Sequence, residues 1–200
     1  RKFFKYLIII FLLGAGGWLG TWTYQRHQSK KESEQKVQTL QHVGFESLAG
    51  GKVYLDEFDR QKPTVIIYFN PACEHCQYEA TEISQRAEQF GKVNTILVTP
   101  EPSVEKVKAF AQTYHLNEVD NLAILFDKDQ QFIRRFGTAV FPSVFIYNSG
   151  QKLVKSYKGE VKIEAIIGSL NIGYVSPSKS PPKGETLKGI MRWLLSITRQ

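Results

Sequence analysis

Both cysteines of this 200-residue chain fall in one short stretch, Cys73-Glu74-His75-Cys76, and the residues on either side restrict what can surround them. Before them, Thr64-Val-Ile-Ile-Tyr-Phe69 is an unbroken β-branched and aromatic run, the pattern of a strand buried on both faces, and Asn70-Pro71 ends it. After them, Glu74 to Phe90 alternates Glu79, Glu82 and Glu88 with Ile83, Ala87 and Phe90, which predicts a helix. A C-x-x-C at the head of a helix puts two sulfurs on one face, within disulfide reach. Unpaired N–H groups and the positive end of the helix dipole favour a thiolate at Cys73, and a thiolate is the attacking species in disulfide exchange. Cys76, one turn further in, is expected to be more buried, less ionised and able to resolve a mixed disulfide on Cys73. His75, when protonated, would add to the stabilisation of the thiolate and make the disulfide more oxidising.

Two cysteines exclude a disulfide-stapled scaffold and any four-cysteine zinc or iron–sulfur site. A catalytic redox pair is the favoured reading, with a copper or zinc site and an inert disulfide as the competitors. A metal would need His75 or His115, the histidines of the predicted domain, beside the two thiolates. His115 reads more simply as a residue at a helix end. Tyr68 and Phe69 read as core. No cofactor is called for by the pattern.

The remaining elements alternate. Phe45 to Leu55, around Gly50-Gly51, suggests a hairpin, and Val93 to Val98 another buried strand. Ser103 caps a predicted helix running to His115. Leu122 to Phe126 is a strand; Ser143 to Tyr147 and Leu153 to Tyr157 flank the turn Asn148-Ser149-Gly150; Val161 to Leu170 carries apolar residues at helical spacing. The order β-α-β-α-β, then β-β-α, predicts an α/β domain with a mixed sheet and helices on both faces.

The strand and C-x-x-C of Thr64–Cys76, the helix after them, and Phe141-Pro142-Ser143 before a later strand together resemble a thioredoxin-fold protein. The likeness is greatest to the exported, membrane-tethered TlpA-like or redoxin-type branch, and it covers roughly Phe45 to Ile172. The resemblance implies a thiol–disulfide oxidoreductase acting on protein thiols and disulfides, with a redox partner protein. It implies that Pro142 is a cis-proline packed against the cysteine pair, where it positions the substrate backbone. It implies that Glu79, three residues after Cys76, is a buried proton acceptor for the resolving thiol; from the residues alone, a solvated helix acid is an equal reading. Three positions depart from the pattern. Ile67 stands where thioredoxins carry a buried Asp, Ala72 where a Trp is usual, and Thr81 where a proline often follows the Glu. General-base help for Cys76 is therefore left to Glu79, His75 or water. His75 sits where the strongly oxidising periplasmic enzyme of this fold has a His. A peroxiredoxin would need a Pro-x-x-x-Thr-x-x-Cys loop, which is missing: Pro71 lies two residues before Cys73 with no Thr between.

Charge divides the chain. Residues 1–31 hold six bases and no acid, residues 32–174 a net −3, and residues 175–200 a net +4. A nucleic-acid binder would carry its positive charge on the folded domain, so no nucleic-acid partner is expected. Tyr6 to Trp22 contains no charged residue, and counted from Phe3 it reaches the ~20 residues of a membrane-spanning helix. Residues 1–24 are read as a transmembrane signal anchor, with a cleaved signal peptide as the alternative. Either sends the domain out of the cytoplasm, to the periplasm in a bacterium. Residues 25–42 read as a polar linker, 43–173 as the thioredoxin-like domain, and 174–200 as a Pro/Ser linker followed by a basic amphipathic helix. That last helix suits a membrane surface or a partner groove, or else packs back on the domain.

Overall fold

A computed structural model describes residues 37–173, with side chains to Leu170, together with Gly17, Trp18 and Thr21. Apart from those three residues the predicted anchor lies outside the described residues, as does the C-terminal amphipathic helix; among the described residues no helix is long and apolar enough to cross a membrane.

Seven strands form one mixed sheet: β1 Gly44–Ser47, β2 Lys52–Tyr54, β3 Thr64–Tyr68, β4 Asn94–Thr99, β5 Leu122–Phe126, β6 Ser143–Tyr147 and β7 Leu153–Lys158. Their spatial order is β2-β1-β5-β4-β3-β6-β7, with β3, β4 and β5 parallel and the outer pairings antiparallel. Every residue of β3 is buried, so the apolar run does what its composition demands: it fills a strand covered on both faces. Alternation then assigns the faces. Val65, Ile67, Leu97, Ile124, Val144 and Ile146 point to one core, and Ile66, Tyr68, Ile96, Val98, Phe145 and Tyr147 to the other.

The first core is covered by α1 Glu74–Gln85, α2 Ala87–Phe90, α3 Val104–Thr113 and α5 Ile163–Gly173. The second is covered differently from the sequence expectation. Its only α-helix among the described residues is α4 Gln131–Phe136, an element without a sequence prediction, joined by the short 3-10 turn Leu55–Glu57 and by a stretch read as linker in which Val37 and Leu40 are buried. That stretch is tied down by Leu40 N–H donating to the Gln151 carbonyl and by the Tyr147 hydroxyl donating to the Val37 carbonyl at 3.0 Å. Packed chain therefore begins before residue 43.

Two further local differences have clear causes. The helix expected from Glu74 to Phe90 breaks at Arg86, whose φ of −116° and ψ of 33° are not helical; its guanidinium pairs with Glu82 and Glu164. The helix expected to reach His115 ends at Thr113, because His115 adopts a left-handed φ of 53°. Ser103 caps its start as expected, its hydroxyl accepting from Lys106 N–H. The turn between β6 and β7 closes through Gln151, where Asn148 accepts from its backbone.

Candidate active site

β3 runs between β4 and β6, and the C-x-x-C stands just past its carboxyl end, where ligands gather in open α/β sheets. The turn that delivers it is built by Asn70, whose side chain accepts from Ala72 N–H at 2.9 Å and whose carbonyl accepts from Cys73 N–H at 3.0 Å. Gln77 reaches back from α1 to donate to the Pro71 carbonyl. Cys73 is thereby left in extended conformation (φ −85°, ψ 119°) as the N-cap residue of α1, and its side chain makes no capping hydrogen bond. Its thiol instead points at the Phe141 carbonyl, 3.9 Å away.

The two sulfurs differ in setting. Cys73 is half-buried and Cys76 buried, and both are free thiols. Burial pushes the Cys76 thiol far up; a backbone hydrogen bond from Asn70 opposes this, while the neighbouring Cys73 and Glu79 add to it. Glu79 lies on the same face of α1, 5% exposed, and neither of its carboxylate oxygens has a hydrogen-bond partner. Desolvation alone pushes its carboxyl up to about 8. A solvated helix acid is therefore not what this residue is.

Phe141 and Pro142 are joined by a cis peptide bond, and this loop is the second wall of the site. The Pro142 carbonyl accepts from Gly159 N–H at 2.8 Å, which brings the loop after β7 alongside. From that loop Glu160 reaches His75, with Nδ1 2.9 Å from Oε2; both side chains are more than half exposed. Glu160 has no sequence signal, since only the tertiary fold brings it to the C-x-x-C. His115 Nδ1 pairs with Glu118 at 3.0 Å. Among the described residues, no three of His, Cys, Asp and Glu are grouped so as to hold a metal ion.

The structure thus brings Cys73, Cys76, His75, Glu79 and Pro142 to one end of the sheet. A half-buried sulfur, a buried sulfur one turn behind it and a buried carboxyl beside the second can carry out two successive thiol exchanges with a local proton carrier.

The chain is 24% identical over 162 residues to the thiol-disulfide oxidoreductase ResA of Bacillus cereus, covering 80% of this chain and 89% of that protein. A secreted Mycobacterium tuberculosis disulfide oxidoreductase homologous to E. coli DsbE superposes with a TM-score of 0.57 at 19% identity, over 69% of this chain and 98% of that one. StoA from Bacillus subtilis superposes with a TM-score of 0.52 at 14% identity, over 66% of this chain and 98% of that one. These likenesses give the fold as thioredoxin-like. The family model described as AhpC/TSA matches residues 35–156, which include every strand but the end of β7 together with the whole C-x-x-C helix, and a match over more than half its length means that the chain belongs to the AhpC/TSA family.

Proposed function

We propose that the chain is an extracytoplasmic, membrane-anchored thiol–disulfide oxidoreductase that exchanges disulfides with protein substrates and a redox partner protein through Cys73 and Cys76. The observation that carries this reading is the asymmetry of the pair: one sulfur half-buried at a helix start facing the Phe141–Pro142 wall, the other buried behind it. Cys73 attacks as a thiolate, forming a bond to one substrate sulfur and expelling the other as a thiolate. Cys76 then gives its proton to Glu79 and attacks Cys73, forming the intramolecular disulfide and releasing the second substrate thiolate. The pair loses two electrons and the substrate gains them; oxidation of a substrate dithiol passes through the same mixed disulfide in reverse. Pro142 positions the substrate backbone. The test is turnover of a peptide disulfide by the full chain and its loss in Cys73→Ser; parent turnover that survives this substitution would contradict the reading.

Support for the anchor is the uncharged run from Tyr6 to Trp22. The full chain is expected to stay with the membrane under alkaline carbonate extraction, and release into the supernatant would contradict anchoring.

His75 is expected to tune this chemistry weakly. Its ring faces Glu160 rather than standing as an unpaired charge, and exposed pairs of this kind contribute about 1 kcal/mol or less. Since ~30 mV corresponds to about 1.4 kcal/mol for a two-electron couple, His75→Asn should move the reduction potential by no more than about 20 mV. A larger drop, measured against glutathione buffers, would mean that the His75 charge acts on Cys73 despite Glu160.

A further inference from the structure

At the end of the sheet opposite the C-x-x-C, a groove of about 590 Å³ lies open between α2 and α5. Phe90 and Val93 line it on one side, Ile167 and Leu170 of α5 on the other, with Lys62 and Lys92 at the rim. Register fixes its place. Thr64 pairs with Asn94 where β3 and β4 begin, just after Lys62 and Val93, whereas the C-x-x-C follows the far end of β3. The strand between them is about 17 Å long.

α5 is an unusual surface helix. Residues 165–178 hold no charged residue. Ile163, Ile166 and Leu170 are buried against the first core, yet Ile167 is only half-buried and Gly168 is exposed, so beyond Glu164 the outer side carries no charge. Surface helices normally carry charge on their outer face, and one that is apolar all round is a covered helix. The cations near the groove are already paired: Lys62 with Asp59 at 3.9 Å, Lys92 with Glu88 at 2.8 Å, and Arg86 with Glu82 and Glu164. Among these side chains carboxylates outnumber cations, so the rim does not draw an anionic ligand or bilayer.

We propose that this groove is the docking site of the chain's own C-terminal segment, residues 185–199, seated as an amphipathic helix against α5 and α2. The chain beyond the described residues starts at the groove itself: α5 ends at Gly173, three residues past Leu170, and 27 residues follow. Residues 174–184 form the tether, and 11 flexible residues span about 18 Å on average. That length lets the segment turn back and holds it near the groove at roughly millimolar effective concentration. Leu187, Ile190, Met191, Leu194 and Leu195 share one face at helical spacing and supply the apolar cover that α5 lacks. Charge agrees in sign, since residues 175–200 carry a net +4 and residues 32–174 a net −3. A segment docked here leaves Cys73 open at the far end of the sheet.

The full chain in phosphatidylcholine nanodiscs, and in discs enriched in phosphatidylglycerol, tests this. In both, amides of residues 185–199 should exchange at least about tenfold more slowly than in an open chain. A short amine-reactive cross-linker should join Lys188 to Lys62 or Lys92 of the same chain. Leu194→Asp in the segment and Ile167→Asp in the groove should each remove both signals. A carboxylate forced into an apolar contact costs more than the tenfold, about 1.4 kcal/mol, that the protection requires. Leu194→Asp lies outside the domain, so it carries the test even where Ile167→Asp loosens α5. Open-chain exchange throughout residues 185–199 of the parent overturns the proposal. Protection that survives Ile167→Asp and grows with phosphatidylglycerol assigns the segment to the bilayer instead. Cross-links that join only an isotope-labelled chain to an unlabelled one assign it to a second copy, and either result overturns docking in the chain's own groove.

Discussion

Replacing Cys76 with serine is expected to stop the reaction at a covalent intermediate, a mixed disulfide between Cys73 and one substrate cysteine. The expectation follows from the different exposure of the two sulfurs. Only Cys73 is open to a substrate, and only Cys76, one turn deeper in α1, is placed to attack the bond Cys73 has made. With Cys76 absent, release depends on an outside thiol, so turnover should fall by at least about a thousandfold. Cys73→Ser should lose turnover to the same degree and trap nothing, because burial holds Cys76 as an unreactive thiol. Mass spectrometry of the trapped adduct, before and after reduction, reads the linkage. A stable adduct through Cys76 in Cys73→Ser would reverse the order of attack.

Glu79 should show itself through pH. Burial raises its carboxyl to about 8 in the folded protein, against the ordinary carboxylate value near 4.5 in the unfolded chain. Between those values the folded state holds a proton that the unfolded state has released, so stability is fully present below about pH 4.5 and falls as pH rises toward 8. The slope from this one group is about 1.4 kcal/mol per pH unit. Glu79→Gln should flatten that slope in urea unfolding of the reduced protein and leave the variant more stable than the parent at pH 8. The same substitution should slow resolution of the mixed disulfide by roughly a hundredfold, the usual scale of a lost general base. In the parent, the resolving step should accelerate with pH until about 8, as the carboxylate forms; in the variant that rise should vanish. Parallel pH profiles in parent and variant would remove Glu79 from the proton path.

What the sequence revealed and what it hid differ in physical kind. β3 and the C-x-x-C helix were legible because each is decided by neighbours in the chain: a six-residue apolar run, a turn residue pair, then helical spacing. The mixed α/β sheet followed from the alternation of elements and the thioredoxin-like class from the resemblance carried by the C-x-x-C and Phe141-Pro142-Ser143, whereas the strand order, set by pairing between distant segments, was not legible. α4 was not legible. It has six residues between left-handed Gln130 and left-handed Gly137, too short to show a period. Its start is held by Asp127, whose carboxylate accepts from Gln131 and Phe132 N–H groups. The burial of Val37 and Leu40 was concealed by polar residues around them, though their spacing with Val43 is an apolar signal in hindsight. In the site, residue types chosen for their chemistry, Cys73, Cys76, His75, Glu79 and Pro142, could be named from local pattern and resemblance. Their partners could not. Glu160 beside His75 and the Phe141 carbonyl beside Cys73 are contacts between segments far apart in sequence. The burial of Glu79, left open by the sequence, is decided by α1 lying against the first core.

The central claim is that Cys73 and Cys76 form a reversible two-electron couple. Equilibration of the full chain against graded glutathione buffers, with alkylation and mass spectrometry to count free thiols, measures it directly. The account predicts one two-electron transition in which both thiols disappear together into a Cys73–Cys76 disulfide. A midpoint toward about −270 mV would make the chain a reductant of its substrates, and one toward about −120 mV an oxidant. Thiols that stay free in every buffer, or a reduced protein that retains stoichiometric copper or zinc and exchanges no disulfide, would contradict it.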